Sequence, residues 1–354
     1  MRKVVVIVIA VLLACALAVP FACAQAKNSI ALIAKVAGIP FFDAVNSGAQ
    51  EAAKELGLTV NYVNPVEPTA EAQIEVVQAQ ILQGVGAISV SANDPDALVP
   101  VMKKALAKKI MVTSWDSAIS PAGRQLFVEP GNMEEVGRWY IKSLGKYLNY
   151  EGQFAIVSAG AQMAVQNTFI KWMKEELKDP KYAKMKLVST VYGDDVMDKS
   201  YTEASGLLTA YPDLKGIISP TSIGVVASCQ AVEDRGLSGK VIVNGIGLPS
   251  QNIKFIKDGT MPELILWNPV DLGYLTVYAD YNLMNNRITG KVGDKFTTAR
   301  LGEFVVHPYA DGGMAVTGHS NVVFTKENID EYCALRSRLS SGANNSAQRP
   351  DAPK

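Results

Sequence analysis

The sequence predicts an α/β protein made of two doubly wound, parallel-sheet lobes joined by a multi-strand hinge, and three observations carry that expectation. Short apolar runs alternate with helically spaced apolar residues along most of the chain, the pattern of parallel sheets covered by helices on both faces. About five strands precede Pro130 and about five follow it, which suits two similar lobes better than one oversized sheet. The boundary near Glu129 to Asn132 is only a turn, so the lobes should be tightly hinged, with further crossings near Leu266 to Val270 and near Gly302. A chain of 354 residues with 48% hydrophobic and 19% charged content is long enough for two cored domains and is globular in composition.

The first strand-helix unit is Ser29 to Gly57. Ile30, Leu32 and Ile33 begin a buried strand, Pro40 opens the next segment, and Phe42, Val45, Ala49, Ala52 and Leu56 have helical spacing up to Gly57. A strand at Leu58 to Asn64 and a helix from Thr69 to about Gln83 follow, with Gly84-Val85-Gly86 as the break. Ala87 to Val90, the helix Ala97 to Lys108, Ile110 to Ser114 and Leu126 to Val128 complete the first series. From Asn132 the rhythm restarts: a helix to Leu148, a strand at Phe154 to Ser158, a helix from Val165 to Leu177 and a strand at Leu187 to Tyr192. Then come the helix Tyr201 to Tyr211, the strand Gly216 to Ser219, the helix Ile223 to Arg235, the strand Val241 to Gly245, a short helix Gln251 to Lys257 and a strand Leu264 to Trp267. The helix Leu272 to Asn285 is expected to return to the first lobe, ahead of a strand pair within Lys295 to Val306. The first lobe is therefore read as residues 25–130 plus about 270–301 and the second as 131–265 plus about 302–339. Residues 340–354, rich in Ser, Asn, Ala and Pro, are read as a disordered tail.

Arg2 and Lys3 precede an apolar run from Val4 to Ala14, and Ala22-Cys23-Ala24 offers a small-residue cleavage point before Gln25, so residues 1–24 read as a secretory signal. An uncleaved anchor is the alternative, against which stand the shortness of the run and Pro20. Leu12-Leu13-Ala14-Cys15 also resembles a bacterial lipoprotein box, which would leave Cys15 as a lipid anchor. Losing Arg2 and Lys3 from the 34 basic residues leaves 32 against 34 acidic ones, a balance that argues against nucleic acid as a partner. Cys15 and Cys23 fall in the signal; of the remaining two, Cys229 lies in an apolar helical stretch and reads as a buried thiol, with pairing to Cys333 as the alternative.

Reactive chemistry is sparse. His307 and His319 have no serine elbow or second metal ligand beside them, and no GxSxG, GKS/T or HExxH stretch occurs, so neither a catalytic centre nor a metal or other cofactor is expected. Gly245-Ile246-Gly247 follows a strand but lacks the third glycine of a dinucleotide loop. What the loops do carry is a polar set near strand ends: Lys35, Asn93, Asp116, Gln166, Asn167, Pro220 through its backbone, Asn244 and Asn268, with Ser222 beside Pro220. Such groups hydrogen-bond hydroxyls, while the flat rings of Phe41, Phe42, Trp115 and Trp267 can cover the C–H faces of a sugar. For each ring the competing explanation is core packing. For Lys35 it is a surface lysine, whereas Asp116, placed straight after a buried strand, needs a partner or a function.

The segment Ile30-Ala31-Leu32-Ile33-Ala34-Lys35 with Pro40-Phe41-Phe42, the block Ile88-Ser89-Val90-Ser91-Ala92 with Asp94-Pro95-Asp96-Ala97-Leu98, and Thr113-Ser114-Trp115-Asp116-Ser117 resemble the type I periplasmic sugar-binding proteins of ABC importers. The match is closest to the branch of autoinducer-2-binding and rhamnose-binding proteins and covers about Ser29 to Tyr332. The resemblance implies a periplasmic, non-enzymatic receptor, a monomer without cofactor, whose two lobes close on a small sugar or polyol and present it to a membrane permease. It also implies ligand contacts for Lys35, Asp116 and Gln166 and for the backbone at Pro220. Three departures stand out: Val165 where an acid is expected, Thr221 and Ser222 for an acid and a small apolar residue, and Asn268 for an acid after Trp267. A sensory receptor signalling to a membrane kinase or chemoreceptor fits the same sequence. An enzyme of a doubly wound class lacks a nucleophile, and a transcription regulator would need a DNA-binding head where the signal stands.

Overall fold

The computed structural model describes residues 28–318 and 321–330. The signal, Cys15, His319, Cys333 and the C-terminal tail lie outside the described residues. In chain order the elements begin with β1 (Ser29–Ile33), α1 (Pro40–Leu56), β2 (Thr59–Tyr62), α2 (Ala70–Gln83), β3 (Ala87–Val90), α3 (Val99–Ala107), β4 (Met111–Trp115) and β5 (Leu126–Glu129). The second series is α4 (Met133–Tyr147), β6 (Glu151–Ser158), α5 (Ala164–Glu176), β7 (Lys184–Tyr192), α6 (Met197–Ala210), β8 (Leu214–Ser219), α7 (Ser222–Asp234), β9 (Ile242–Ile246), α8 (Pro249–Asp258) and β10 (Leu264–Leu266). The chain then forms α9 (Pro269–Met284), β11 (Lys295–Thr298), β12 (Gly302–Val305), β13 (His307–Pro308), β14 (Met314–Thr317) and β15 (Val322–Phe324).

Seven strands form one sheet in the order β13-β14-β5-β4-β3-β1-β2 and six form a second in the order β15-β10-β9-β8-β6-β7. Setting the edge additions aside, β2-β1-β3-β4-β5 and β7-β6-β8-β9-β10 share one doubly wound order, so the restart seen at Asn132 is a repeated topology. In this order the strand sequence reverses between β1 and β3, the place where open α/β sheets hold ligands beyond the strands' carboxyl ends. β1 pairs in parallel with both neighbours, and all five of its residues are buried. The chain divides into two compact units: one runs to Ile141 and resumes over Ser158–Asp179 and Trp267–Val322, and the other comprises Lys142–Val157, Pro180–Leu266 and the residues from Val323.

Residues 302–322 differ from the expectation that they join the second lobe, as do 131–141 and 158–179, all of which group with the first unit, whereas β15 joins the second sheet beside β10 as expected. β14 pairs in parallel with β5, Ala315 opposite Phe127 and Val316 opposite Val128, and both Ala315 and Val316 are fully buried. The apolar edge of β5 takes them as its next strand, and a strand of 4 residues is too short to show a period of its own. Cys229 on α7 is buried with no disulfide partner among the described residues, and burial pushes the pKa of its thiol up.

Helix boundaries follow local chemistry. Thr69 Oγ1 accepts the Ala72 amide at the start of α2, and Gly57 and Gly84 end α1 and α2 at φ 67° and 72°, a region glycine enters without a Cβ penalty. The tightest helix contact is the α1–α9 crossing. A Cβ on Gly48 would stand 1.8 Å from the Val270 carbonyl oxygen, and one on Gly273 would stand 1.8 Å from the Val45 carbonyl oxygen. The two backbones therefore touch through reciprocal glycines, and 12 of the 16 residues of α9 are buried, so nearly every face of that helix is packed.

One buried acid lies under this helix. Asp280 on α9 is fully buried and accepts from Ser89 Oγ at 2.6 Å and Thr113 Oγ1 at 2.7 Å, with no cation paired to it among the described residues. Burial outweighs the two hydroxyls and pushes its carboxyl up from 3.8 to about 7.

Substituting Gly48 or Gly273 by alanine should lower the urea midpoint by the equivalent of about 1–3 kcal/mol or more, because the added methyl meets backbone that cannot step aside. Gly206→Ala, inside α6 with nothing within 4 Å of the new Cβ, should instead raise stability by up to about 1 kcal/mol. Equal effects at all three positions would contradict the crossing. Asp280 binds its proton more tightly in the native state than unfolded, so its contribution is complete below about pH 4 and is lost as pH rises toward about 7. The unfolding free energy of the wild type, taken relative to that of Asp280→Asn, should fall by about 4 kcal/mol across that window. A pH-independent difference would overturn the assignment.

Candidate ligand-binding site

Within the first unit, polar groups gather where β1, β3 and β4 end. Lys35 leaves β1, is 3% exposed, and holds its Nζ 3.8 Å from Asp116 Oδ2. That separation is an ion pair without a hydrogen bond, so the ammonium's donors remain for another oxygen. Asp116 follows β4, is 6% exposed, and adopts φ 57°, a left-handed conformation that aspartate tolerates at a cost of about 1 kcal/mol. Ser91, at the end of β3, donates to Asp116 Oδ2 at 2.7 Å and fixes the carboxylate.

A polar clamp holds these loops. Gln73 on α2, fully buried, donates to the Ala34 and Ser91 carbonyls at 2.9 and 2.8 Å and accepts the Asn93 amide at 2.8 Å. Asn93 in turn donates its side-chain amide to the Lys35 carbonyl at 2.8 Å and to the Thr69 carbonyl at 3.3 Å. Asn93 Oδ1, Ser117 Oγ and Trp267 Nε1 are buried with no hydrogen-bond partner among the described residues. Such atoms cost about 1–3 kcal/mol each, and they also occur elsewhere among the described residues, so by themselves they do not single out this edge.

The aromatic rings sit on the same edge. Phe41 and Phe42, in the first turn of α1, meet edge to face at 5.4 Å; Phe41 also meets Trp267 at 6.1 Å, and Phe42 meets Trp115 at 5.8 Å. Trp267 further packs on Phe169 of α5 at 6.4 Å. Trp115 is fully buried and donates its indole N–H to the Ser89 carbonyl at 3.2 Å, which makes it the support behind Phe42.

The structure brings Lys35, Asn93 and Asp116 together, with Phe41, Phe42, Trp115 and Trp267 linked by ring contacts. Other strand-end residues have different surroundings. Asn268 is exposed and caps α9, its Oδ1 accepting the Val270 and Asp271 amides at 3.0 and 3.4 Å. Asn167 is exposed and donates to the Ala161 carbonyl at 2.9 Å. Asn244 is fully buried in the middle of β9, because that strand continues to Ile246. Gln166 and Val165 are buried in the first turn of α5, and Pro220, Thr221 and Ser222 form the β8–α7 turn in the second unit. Sequence reasoning does not single out Ser91 and Gln73: Ser91 is one residue of the Ile88-Ser89-Val90-Ser91-Ala92 block, and Gln73 reads as one more polar position on a helix. His307 hydrogen-bonds Thr317 Oγ1 at 2.8 Å, and the described residues contain no His, Cys, Asp and Glu group able to hold a metal. No helix among them is long and apolar enough to cross a membrane.

Known proteins resemble the chain over this whole region. A sequence model for the periplasmic binding protein domain matches residues 30–288. The D-ribose/D-allose-binding protein of Pseudomonas aeruginosa is 29% identical over 263 residues, 70% of this chain and 81% of that protein. An ABC transporter solute-binding protein from Clostridium phytofermentas, solved with bound L-rhamnose, is 33% identical, covers 87% of this chain and 98% of its own, and superposes with a TM-score of 0.85. LsrB from Clostridium saccharobutylicum, in complex with AI-2, shares the fold at 24% identity and a TM-score of 0.82 over 86% of this chain and 99% of its own. The matches are to binding proteins, and this chain belongs to the periplasmic binding protein family.

Proposed function

We propose that the protein captures a small neutral sugar or polyol of rhamnose-like or autoinducer-2-like kind and delivers it to an ABC permease. The observation that carries this reading is the buried Lys35–Asp116 pair, held at 3.8 Å by Ser91 and the Gln73 clamp on the same edge as the Phe41, Phe42 and Trp267 rings. A carboxylate and an ammonium side by side accept from and donate to neighbouring hydroxyls, and edge-to-face rings leave apolar faces for sugar C–H groups. The rhamnose-bound relative at 33% identity supports a six-carbon sugar. The AI-2 complex supports only the fold. Gln166, with the backbone at Pro220 and the hydroxyl of Ser222, belongs to the same reading. The protein works outside the cytoplasmic membrane as a monomer, without nucleic acid; the mass of the mature chain distinguishes cleavage before Gln25 from lipidation at Cys15.

Isothermal titration against L-rhamnose, D-allose, D-ribose, D-arabinose and autoinducer-2 should find a ligand at micromolar affinity or better, and mass spectrometry of freshly purified, denatured protein should release the same molecule. A monodisperse protein that binds none of them and carries nothing would overturn the reading. Asp116→Asn should weaken the best ligand about 10- to 150-fold, since a hydrogen bond to a charged group contributes about 1.5–3 kcal/mol. Asp116→Ala would also strand the buried Lys35 charge and lower the melting temperature, which Lys35→Met with Asp116→Leu should restore without restoring binding. Recovery of affinity in that double variant would show the pair to be structural.

A further inference from the structure

The amino edge of the first sheet, opposite the end that carries Lys35 and Asp116, holds charge that the fold does not answer. β1, β3 and β4 run parallel, so the loops after α2 and α3 meet at this edge. They lie side by side: the Gly86 amide donates to the Ser29 carbonyl at 2.8 Å, and the Met111 amide donates to the Gly86 carbonyl at 3.0 Å. α3 and the two residues after it present Lys103, Lys104, Lys108 and Lys109, all exposed and none ion-paired among the described residues. The helix dipole favours a cation in the last turn, which accounts for one lysine and not for four. Lysines near helix ends of the second unit do have acids: Lys146 meets Glu263 at 2.8 Å, and Lys257 meets Asp330 at 2.6 Å. At the neighbouring end of α2, Leu82 is 82% exposed. The chain after α9 reaches the same edge, where a Cβ on Gly290 would stand 2.9 Å from the Gln125 carbonyl oxygen, and it adds exposed Lys291 and Val292. The acids of this edge are held by their neighbours: Glu55 accepts from the Tyr274 and Tyr278 hydroxyls, and Asp294 accepts from the Thr289 and Lys291 amides.

We infer that this edge docks on an anionic phospholipid surface, with the four lysines of α3 among the headgroups and Leu82 at the boundary of the acyl chains. Unpaired lysines beside a protruding apolar side chain are the combination such a surface takes up: the charges attract it, and the leucine leaves water on contact. The chain also enters the fold here, since the Asn28 carbonyl accepts the Thr59 amide at 3.1 Å directly ahead of β1. Residues 16–27 would hold this edge within about 45 Å of a lipid attached at Cys15. Docked in this way, the first unit turns the carboxyl ends of β1 and β4, with Lys35 and Asp116, away from the bilayer and toward free solute. The inference stands apart from the identity of the sugar.

The test floats the unlipidated chain from Gln25 with vesicles of phosphatidylcholine alone, or with about one quarter phosphatidylglycerol added. Salt is set at about 20 mM and about 300 mM, which bracket strong and weak screening. The wild type should bind the anionic vesicles at low salt, leave them at high salt and ignore the neutral ones. Lys103→Gln, Lys104→Gln, Lys108→Gln and Lys109→Gln combined should weaken partitioning about 100-fold or more, at about 5-fold per lysine. Leu82→Ser should weaken it about 10-fold. A control with Lys142→Gln, Lys186→Gln, Lys215→Gln and Lys240→Gln makes the same charge change on the second unit and should still bind. Urea midpoints close to that of the wild type show that each variant is folded. Equal loss in the two quadruple variants would mean that only total charge matters and would overturn the inference. So would equal binding to both kinds of vesicle, or binding to neither.

Discussion

The first unit depends on the backbone contact between α1 and α9. Gly48 and Gly273 let each helix lay a carbonyl where the other would carry a Cβ, and no larger residue fits without moving main chain. Both helices begin at the site: Phe41 and Phe42 stand in the first turn of α1, and Trp267 immediately precedes Asn268, the cap of α9. The close crossing brings these helix starts together, which is why Phe41 meets Trp267 at 6.1 Å across more than 200 residues of sequence. The same approach sets Asp280 against the hydroxyls of β3 and β4. A missing side chain within each helix thus fixes ring geometry nearly two turns away.

Around that frame the site is built by polar bonds from one strand end to the next. Gln73 binds the carbonyls that end β1 and β3, and Asn93 ties the Lys35 carbonyl back to the start of α2. Each of these bonds contributes modestly, about 1 kcal/mol, but removing the Gln73 amide would leave the Ala34 and Ser91 carbonyls without that donor at once. The loops that carry Lys35 and Asp116 are consequently as well determined as the strands before them, the condition for recognising a ligand whose contacts are directional.

Much of this was legible from sequence because its determinants are local. Apolar period, Gly57 and Gly84 as stops and Thr69 as a cap located the first two helices, and Lys35, Phe41, Phe42 and Trp115-Asp116 were found from their places at element ends. The missing parts are those whose cause is long-range. Nothing near Gly48 announces that Val270 will pass it, and nothing near Gln73 says that its amide will bridge two strand ends. Strands as short as β13, β14 and β15 have no period to read; β14 forms because the edge of β5 is open to it. The polar strand-end set has more varied surroundings than its sequence positions suggest: Asn244 falls inside a strand, Asn268 caps α9, and Asn167 donates to the Ala161 carbonyl. A polar residue near a turn has local uses, and only the fold says which use won.

The two buried aspartates of the first unit show how surroundings divide such roles. Asp280 is met only by the Ser89 and Thr113 hydroxyls, which also contact each other; burial raises its pKa to about 7, so at moderate acidity it is neutral and its own proton is shared within that hydroxyl cluster. Asp116 has a lysine at 3.8 Å, sits at a strained φ, and is followed by Ser117, whose hydroxyl is buried without a partner among the described residues. A fully satisfied acid stabilises one structure and gains nothing from an added molecule. An acid held in strain beside a cation with donors to spare is the kind of group a hydroxylated ligand can complete, and on that asymmetry rests the proposal that Asp116, and not Asp280, meets the ligand.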